Sequence, residues 1–411
     1  MRILLLTQIV PYPPDAGPKV KTWNVLRYLI QRGHQVTLVS YVRPEEQLYV
    51  PILKDVCSAV HTVPIRRSRI ADVVYMLRSY LTGRPFLVER DDLRPMQKLV
   101  NNLVQEVGFD YIHADQLTMV QFAIRGASSA QGKKPRVIFD AHNAVWTIVE
   151  RMHKNAHWLL NLVLGVEMRR VKRYEGELLK TVDQVLTVTE VDRDSLKEAL
   201  EFSKDSGDER VVPITVVPIS VDTRQLQPVK RKTGSNTIVT LGTLHYPPNA
   251  DGIRWFFNEV FPLICQRVPD VKLTIIGKNP PPDFIDLVAR NPYTVNVTGY
   301  VPDLVPYLED STLMVVPVRA GGGMRVRILE AFAYAMPIVT TTVGLEGIQA
   351  HPGRDVLVAD SSDDFAHAVI RLLNNEVLQD QLSKNGRHLV ETKYDWQVTL
   401  KDLEKVYQKI G

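Results

Sequence analysis

The sequence lacks most of the features that assign a chemistry at sight. Its 411 residues hold two cysteines, Cys57 and Cys265. They lie far apart in apolar surroundings, without metal-site or redox spacing, and read as core residues. That usage fits a reducing cytoplasm. No apolar run approaches the ~18 residues needed to cross a bilayer. The opening run, Met1–Thr7, is too short for the apolar region of a signal peptide and reads as a first buried strand. Charge of neither sign dominates: the net charge is +4, which makes no whole-chain case for nucleic acid. There is no Walker A loop, no G-x-S-x-G elbow and no G-x-G-x-x-G after the first strand, which weakens NTPase, hydrolase and dehydrogenase readings. No His/Cys/Asp/Glu cluster has metal-ligand spacing, so no metal is expected. Asp192-Arg-Asp194 resembles a metal-binding Asp-x-Asp, but it falls just past a strand, where Asp commonly caps a helix. The cap is the preferred reading.

What is present is alternation. Strand-like runs are expected at Arg2–Thr7, Gln35–Tyr41, Ala59–Val63, Tyr111–His113, Arg136–Asp140, Gln184–Val188 and Ile214–Val217. After a polar linker at Pro228–Asn236 they resume at Thr237–Gly242, Lys272–Ile276, Val295–Thr298, Leu313–Pro317, Ile338–Thr341 and Val356–Ala359. Amphipathic segments such as Thr22–Gln31, Met96–Val107 and Leu162–Thr181 lie between them. The length suits two domains of roughly 200 residues. The expected fold is α/β, two doubly wound, Rossmann-like domains facing across a cleft and joined by a hinge. Residues 1–225 form the first domain and 226–391 the second. A C-terminal amphipathic helix runs over Tyr394–Ile410, with Trp396, Leu400, Leu403 and Tyr407 at helical spacing.

Ligands of such sheets bind beyond the carboxyl ends of the strands, where the informative residues fall. Arg319-Ala-Gly-Gly-Gly-Met-Arg-Val-Arg-Ile-Leu-Glu330 leaves an apolar strand, passes three glycines and enters a helix. Bare backbone N–H groups and a helix N-terminus suit a phosphate. Arg319, Arg325 and Arg327 add charge, and Glu330, placed two turns into the helix, can accept from ribose hydroxyls. A strand-to-helix turn with glycines for tight packing is the competing reading. On a helix, Arg325 and Arg327 lie roughly 200° apart, so one of them is expected on a phosphate and the other in a structural pair. Gly17 in Pro11–Lys19 permits close backbone approach, and Lys19 and Lys21 are placed to reach a phosphate or simply face solvent. His142, in Phe139-Asp-Ala-His-Asn143, ends a strand and is a candidate for touching a sugar. His113 and Asp115 form a similar strand-end pair.

Taken in order, these segments resemble the retaining, nucleotide-sugar-dependent glycosyltransferases of the GT-B fold, specifically family four. The likeness runs over essentially the whole chain. It includes the loop after strand one, Asp140-Ala-His142, Val188–Asp192, Val217–Asp222, Leu241–Leu244, Thr298–Val301, the block ending at Glu330, and Pro337–Gly344. It implies that the C-terminal helix, 392–411, crosses back onto the first domain.

The resemblance gives Glu330 the nucleotide ribose, His142 the donor sugar, and Gly17 the loop facing the diphosphate. Gly242 and Thr243 open the donor domain. Three positions depart from the family pattern. Gly322 stands where a sugar-holding glutamate is expected, so Gly322 and Gly323 are expected to act through backbone N–H groups. The usual Arg and Lys are missing from Gly242–Gly252, and Ile219-Ser220 replaces an Asn-Gly. With that pair missing, Arg319, Arg325 and Arg327 become the cations for the leaving diphosphate.

The implied activity is transfer of a sugar from a nucleotide diphosphate sugar to an acceptor hydroxyl with retention. The nucleotide sugar is a co-substrate, with no tightly bound cofactor and no metal. A sugar-nucleotide epimerase, another GT-B enzyme, or a catalytically weak binding homologue are the alternatives. The acceptor is a glycan, a lipid-linked sugar or a small molecule, with His113 and Asp115 as acceptor candidates. Segments around Arg66–Arg94 and Trp146–Leu164 read as acceptor loops. Basic clusters at Arg66, Arg67 and Arg69 and at Arg169, Arg170, Lys172 and Arg173 suit an anionic membrane surface or solvated helix faces. The expected location is the cytoplasm, with membrane association on its inner face allowed.

Overall fold

A computed structural model describes residues 1–154, 157–203, 212–290 and 294–409. The chain divides into two compact units. Unit 1 is Met1–Pro218 with the chain from Leu400 onward, and unit 2 is Ile219–Thr399. The division falls a few residues before the expected boundary at 225, and Val221 pairs with the far end of unit 2 at Tyr394–Trp396.

Unit 1 is built on β1 (Arg2–Thr7), β2 (Gln35–Val42), β3 (Ala59–Pro64), β4 (Tyr111–Asp115), β5 (Arg136–Ala141), β6 (Gln184–Thr187) and β7 (Ile214–Val216). They form one sheet in the order β3-β2-β1-β4-β5-β6-β7, every pair parallel. The central strand β1 is an unbroken apolar run because helices cover both faces, and Ile3–Leu6 are fully buried. Unit 2 repeats the winding with β8 (Thr237–Leu241), β9 (Lys272–Ile276), β10 (Val295–Gly299), β11 (Leu313–Val316), β12 (Ile338–Thr340) and β13 (Leu357–Val358), ordered β10-β9-β8-β11-β12-β13. Both are doubly wound, Rossmann-like sheets. The order reverses between β1 and β4 in one and between β8 and β11 in the other, and such switch points open a crevice for ligands. All thirteen strands fall within two residues of their expected places.

The helices that matter below are α1 (Gly17–Gln31), α2 (Arg69–Thr82), α3 (Val145–Lys154), α4 (Trp158–Leu179), α5 (Glu190–Phe202), α6 (Pro247–Trp255), α7 (Val326–Ala333) and α8 (Lys401–Lys409). Pro18 in the first turn of α1 supplies no N–H where none is needed. The helix buries Val25, Leu26 and Leu29, each worth about 1.5–3 kcal/mol. α7 turns Ile328, Leu329 and Phe332 into its core and ends at Ala333; Ala335 follows at φ 56°, two residues ahead of Pro337.

Three local expectations need correction. The segments around Arg66–Arg94 and Trp146–Leu164 are helices rather than loops: α2, a short helix at Phe86–Asp91, α3 and the start of α4. Asp192 is not the cap of α5. Thr189 is, its hydroxyl accepting from the Asp192 N–H at 3.0 Å, while the Asp192 carboxylate receives the Ala144 N–H at 3.1 Å. The tail is not one helix. Trp396 N–H donates to Val221 and Val221 N–H to Tyr394, so backbone pairing interrupts the helix at an extended Asp395. Helix resumes as Trp396–Thr399 and then α8; Ile410 lies outside the described residues. Trp396, Leu400, Leu403 and Tyr407 are nonetheless all buried.

Candidate functional site

At the switch point of unit 1, parallel register sets Asp115 at the end of β4 opposite Asp140 at the end of β5. Two carboxylates side by side and almost fully buried are costly unless cations or donors meet them. The first turns of α1 supply both. The buried Lys21 ammonium is bonded to Asp140 Oδ1, and the Thr22 hydroxyl lies 3.0 Å from Asp115 Oδ1. His113 Nε2 reaches Asp140 Oδ2 at 3.2 Å, and its Nδ1 meets the Tyr407 hydroxyl of α8 at 2.7 Å. Burial, and then the Asp140 charge, hold the Tyr407 phenol well above its usual range. An ionised carboxylate only accepts, so the His113 nitrogen facing Asp140 carries the hydrogen of that contact. For Asp140, burial pushes the carboxyl up, but Lys21 and then His113 outweigh it and hold it below the usual carboxylate range.

His142, just past β5, sends Nε2 to Asp115 Oδ1 at 2.8 Å. Its Nδ1 is buried and has no partner among the described residues. The structure thus fixes one edge of this ring and buries the other without a partner among the described residues. Asp115, Asp140 and His142 offer ligand atoms within 4.8 Å of one another, a cluster that the sequence spacing did not reveal. The ammonium of Lys21 already occupies Asp140, so a metal ion there would compete with a built-in cation.

These contacts redraw several roles. Lys21 is buried and cannot reach a phosphate, because its charge is needed under Asp140. His113 is fully buried with both nitrogens engaged, and Asp115 is spent on His142 and Thr22. Neither touches an acceptor; both position His142's surroundings. Lys19 lies 3.8 Å from Asp15 and 3.6 Å from Glu46, beside the half-buried Gly17. Tyr407 and Thr22 were not singled out for this site. Only the packing of α8 and α1 brings them to it.

At the switch point of unit 2, β8 ends at Leu241, just ahead of Gly242 and Thr243, and β11 feeds the glycine loop. Gly277, after β9, approaches so closely that a Cβ there would stand 1.9 Å from the Gly242 carbonyl. α6 packs beneath the loop: a Cβ at Gly252 would meet the Pro317 carbonyl. The exposed Arg319 holds its guanidinium 5.4 Å from the Trp255 ring centre. Gly321 and Gly323 sit at φ 108° and 79°, where side chains are strained. Gly322 is not among the positive-φ glycines. The N–H groups of Gly322 and Gly323 have no acceptor among the described residues.

The arginines differ from expectation. Arg325 precedes α7 rather than sitting on it, and folds back to donate from Nη1 to the Gly322 and Gly323 carbonyls at 2.5 and 2.6 Å. Its guanidinium braces the loop through these two carbonyls. Arg327 pairs with Glu330 Oε2 at 2.7 Å. Because α7 begins at Val326, Glu330 is about one turn in, not two.

Two family models match the chain: Glycosyltransferase Family 4 over residues 17–225 and Glycosyl transferases group 1 over residues 235–375. Solved structures share the fold. The Anabaena protein Alr3699/HepE, solved with UDP and glucose, superimposes with a TM-score of 0.69 at 12% identity, covering 100% of both chains. Sucrose-phosphate synthase of Thermosynechococcus elongatus gives 0.71 at 15%, covering 100% of this chain and 99% of that one. The architecture is therefore that of the GT-B glycosyltransferases, with two Rossmann-like domains.

The first family model alone spans just over half of the residues, and the chain belongs to glycosyltransferase family 4. Among its relatives, an uncharacterized 44.6 kDa protein in the cps region of Klebsiella pneumoniae is 21% identical over 96% of both chains. The capsular polysaccharide biosynthesis glycosyltransferase CapM of Staphylococcus aureus is 28% identical over 36% of this chain and 40% of its own.

Proposed function

We propose that this glycosyltransferase takes a sugar from a nucleotide diphosphate sugar and transfers it, with retention of anomeric configuration, to a hydroxyl of a glycan or lipid-linked acceptor. The observation that carries the reading is the glycine loop at the second switch point. It combines unmet Gly322 and Gly323 N–H groups, a helix N-terminus and Glu330 one turn on. The UDP and glucose held by a protein of the same fold support a nucleotide-sugar donor. The capsular setting of the relatives supports a glycan acceptor.

Glu330 accepts from the ribose hydroxyls, with Arg327 holding the carboxylate in line. As the bond from the anomeric carbon to the diphosphate oxygen breaks, charge grows on the phosphate, and the Gly322 and Gly323 N–H groups and the α7 terminus meet it. Arg319 and Arg325 are the cations of this loop. His142, oriented by Asp115, accepts a hydrogen bond from the donor sugar at Nδ1. The acceptor oxygen attacks the face the phosphate is leaving and passes its proton to a phosphate oxygen, so the protein supplies no nucleophile and no metal ion is required. Both cysteines are free, in keeping with work in a reducing cytoplasm.

The test is incubation with UDP, GDP, ADP and TDP sugars and a panel of saccharide acceptors, with NMR of the product's anomeric carbon. The same configuration in donor and product is expected; an inverted product overturns the mechanism. Gly322 in place of a carboxylate favours one rival, a subunit that only binds the donor. Calorimetric binding without transfer or hydrolysis establishes that rival instead.

A further inference from the structure

An ordinary surface helix turns its apolar stripe inward, and α2 does the reverse. Ile70, Val73, Val74, Leu77 and Leu81 recur at helical spacing and are 57 to 89% exposed. Met76 and Tyr80 widen the same band. A second exposed apolar surface begins α4, where Trp158, Leu160, Leu162, Val163 and Val166 are 45 to 69% exposed. The two helices meet where the Arg170 guanidinium lies 4.7 Å from the Tyr80 ring centre. Leaving so many large apolar side chains in water is unfavourable for an isolated molecule, and patches of this kind mark a docking surface.

The surrounding charge says what docks. Arg67 and Arg78 are tied to the buried Asp91 and Glu89. Arg66 and Arg69 at one end of α2, and Arg169 and Arg173 along α4, remain exposed. Of the acids on these helices, Glu175 is buried, the exposed Glu177 lies about three turns beyond Val166, and two lie nearer the face. Asp72 is half-buried and Glu167 accepts the Phe86 N–H at 2.6 Å. A second copy placed on this face about a two-fold axis would set arginine rim against arginine rim. An anionic lipid surface answers both features, taking apolar side chains into its acyl boundary and arginines among its headgroups. Tyr80 and Trp158 are ring types favoured at that depth.

We propose that unit 1 docks on an anionic bilayer through this face, with α2 lying in the plane of the interface. The docking stands independently of the donor chemistry. No helix among the described residues is long and apolar enough to cross a membrane, so attachment of this kind is peripheral and reversible. It brings unit 1 against the surface on which a lipid-linked acceptor would be presented.

The test is sedimentation of the full chain with vesicles of phosphatidylcholine alone or mixed with phosphatidylglycerol. Binding to the mixed vesicles is expected. Leu77→Glu/Leu81→Glu should lower it more than tenfold, with the thermal melt unchanged because both side chains are exposed. An arginine near the surface contributes about fivefold at low salt, so Arg66→Gln/Arg69→Gln should lose at least tenfold on mixed vesicles and little on neutral ones. Brominated lipid should quench part of the tryptophan fluorescence, and Trp158→Phe should abolish that part. A wild-type chain that stays in solution with the mixed vesicles overturns the proposal. So does a dimer, seen by analytical ultracentrifugation, that Leu77→Glu/Leu81→Glu dissociates. Nucleotide-sugar calorimetry on the same variants should be unchanged, which separates a failure here from a failure of the donor reading.

Discussion

The strand ends of unit 1 and the glycine loop of unit 2 occupy corresponding places, beyond sheets wound in the same order, yet they are built in opposite ways. In unit 1 the charges are buried and settled among themselves: Lys21 on Asp140, His113 between Asp140 and Tyr407, Asp115 under His142. In unit 2 the backbone is half-buried, two N–H groups are unmet, and Arg325 braces the loop from behind. The first arrangement holds one imidazole rigidly, as the proposed sugar contact requires. The second leaves donors unmatched, as the proposed phosphate contact requires. Preorganised pairs suit orientation, while unmatched donors suit developing charge.

A second contrast lies inside unit 1. Asp140 and Glu175 are both fully buried. Asp140 has an ammonium beside it and is held below the usual carboxylate range despite its burial. Glu175 meets the Val145 and Trp146 N–H groups, at 2.8 and 2.9 Å, at the start of α3, and no cation among the described residues. Burial outweighs them and pushes it up to about 8. A full charge offsets desolvation that two dipoles do not.

The largest break in these comparisons comes from Lys21→Met. It strands Asp140 as a buried, unpaired charge and should cost about 3–5 kcal/mol in urea unfolding. Lys21→Met/Asp140→Asn should recover most of that, and a single-variant cost below about 1 kcal/mol rules out the pair as a keystone. Glu330→Ala acts on the open side. Losing hydrogen bonds to a charged group should weaken nucleotide binding roughly tenfold to a hundredfold and leave the unfolding midpoint nearly unchanged. Unchanged affinity by calorimetry removes Glu330 from the ribose.

The smallest effect is the pH response of Glu175. Its folded value is raised above the ordinary 4.5, so its contribution is fully present below that pH and is lost as pH rises towards about 8. Glu175→Gln should flatten the stability profile across that window, measured by urea unfolding at each pH. A slope identical to wild type contradicts the assignment. Asp140 has the opposite sign, its contribution being lost as pH falls below the ordinary carboxylate value.

Much of the architecture was legible because alternation is a local signal. Each strand of β1, β8 or β11 is an apolar run bounded by polar turns, and parallel order follows from the helices between them. The donor block was legible for the same reason: glycines, arginines and Glu330 are contiguous, so their neighbourhood survives folding. Arg325 was misread because a helix was extended back over a residue that precedes it. Lys21 was misread because a lysine two residues from Lys19 looks solvent-facing until Asp140, far along the chain, is placed beside it. The outward stripe of α2 was missed because helical periodicity shows that a helix has an apolar face, not which way that face points.

The sequence alone determined the two doubly wound units, the glycine loop and the place of Glu330, all properties of contiguous residues. The tertiary structure alone decided that Asp115, Asp140 and His142 share one cluster, that Lys21 neutralises it, that Tyr407 closes it from the far end of the chain, and that α2 faces outward. Burial and pairing of charge depend on which distant segments meet, and local patterns of polarity carry no record of that.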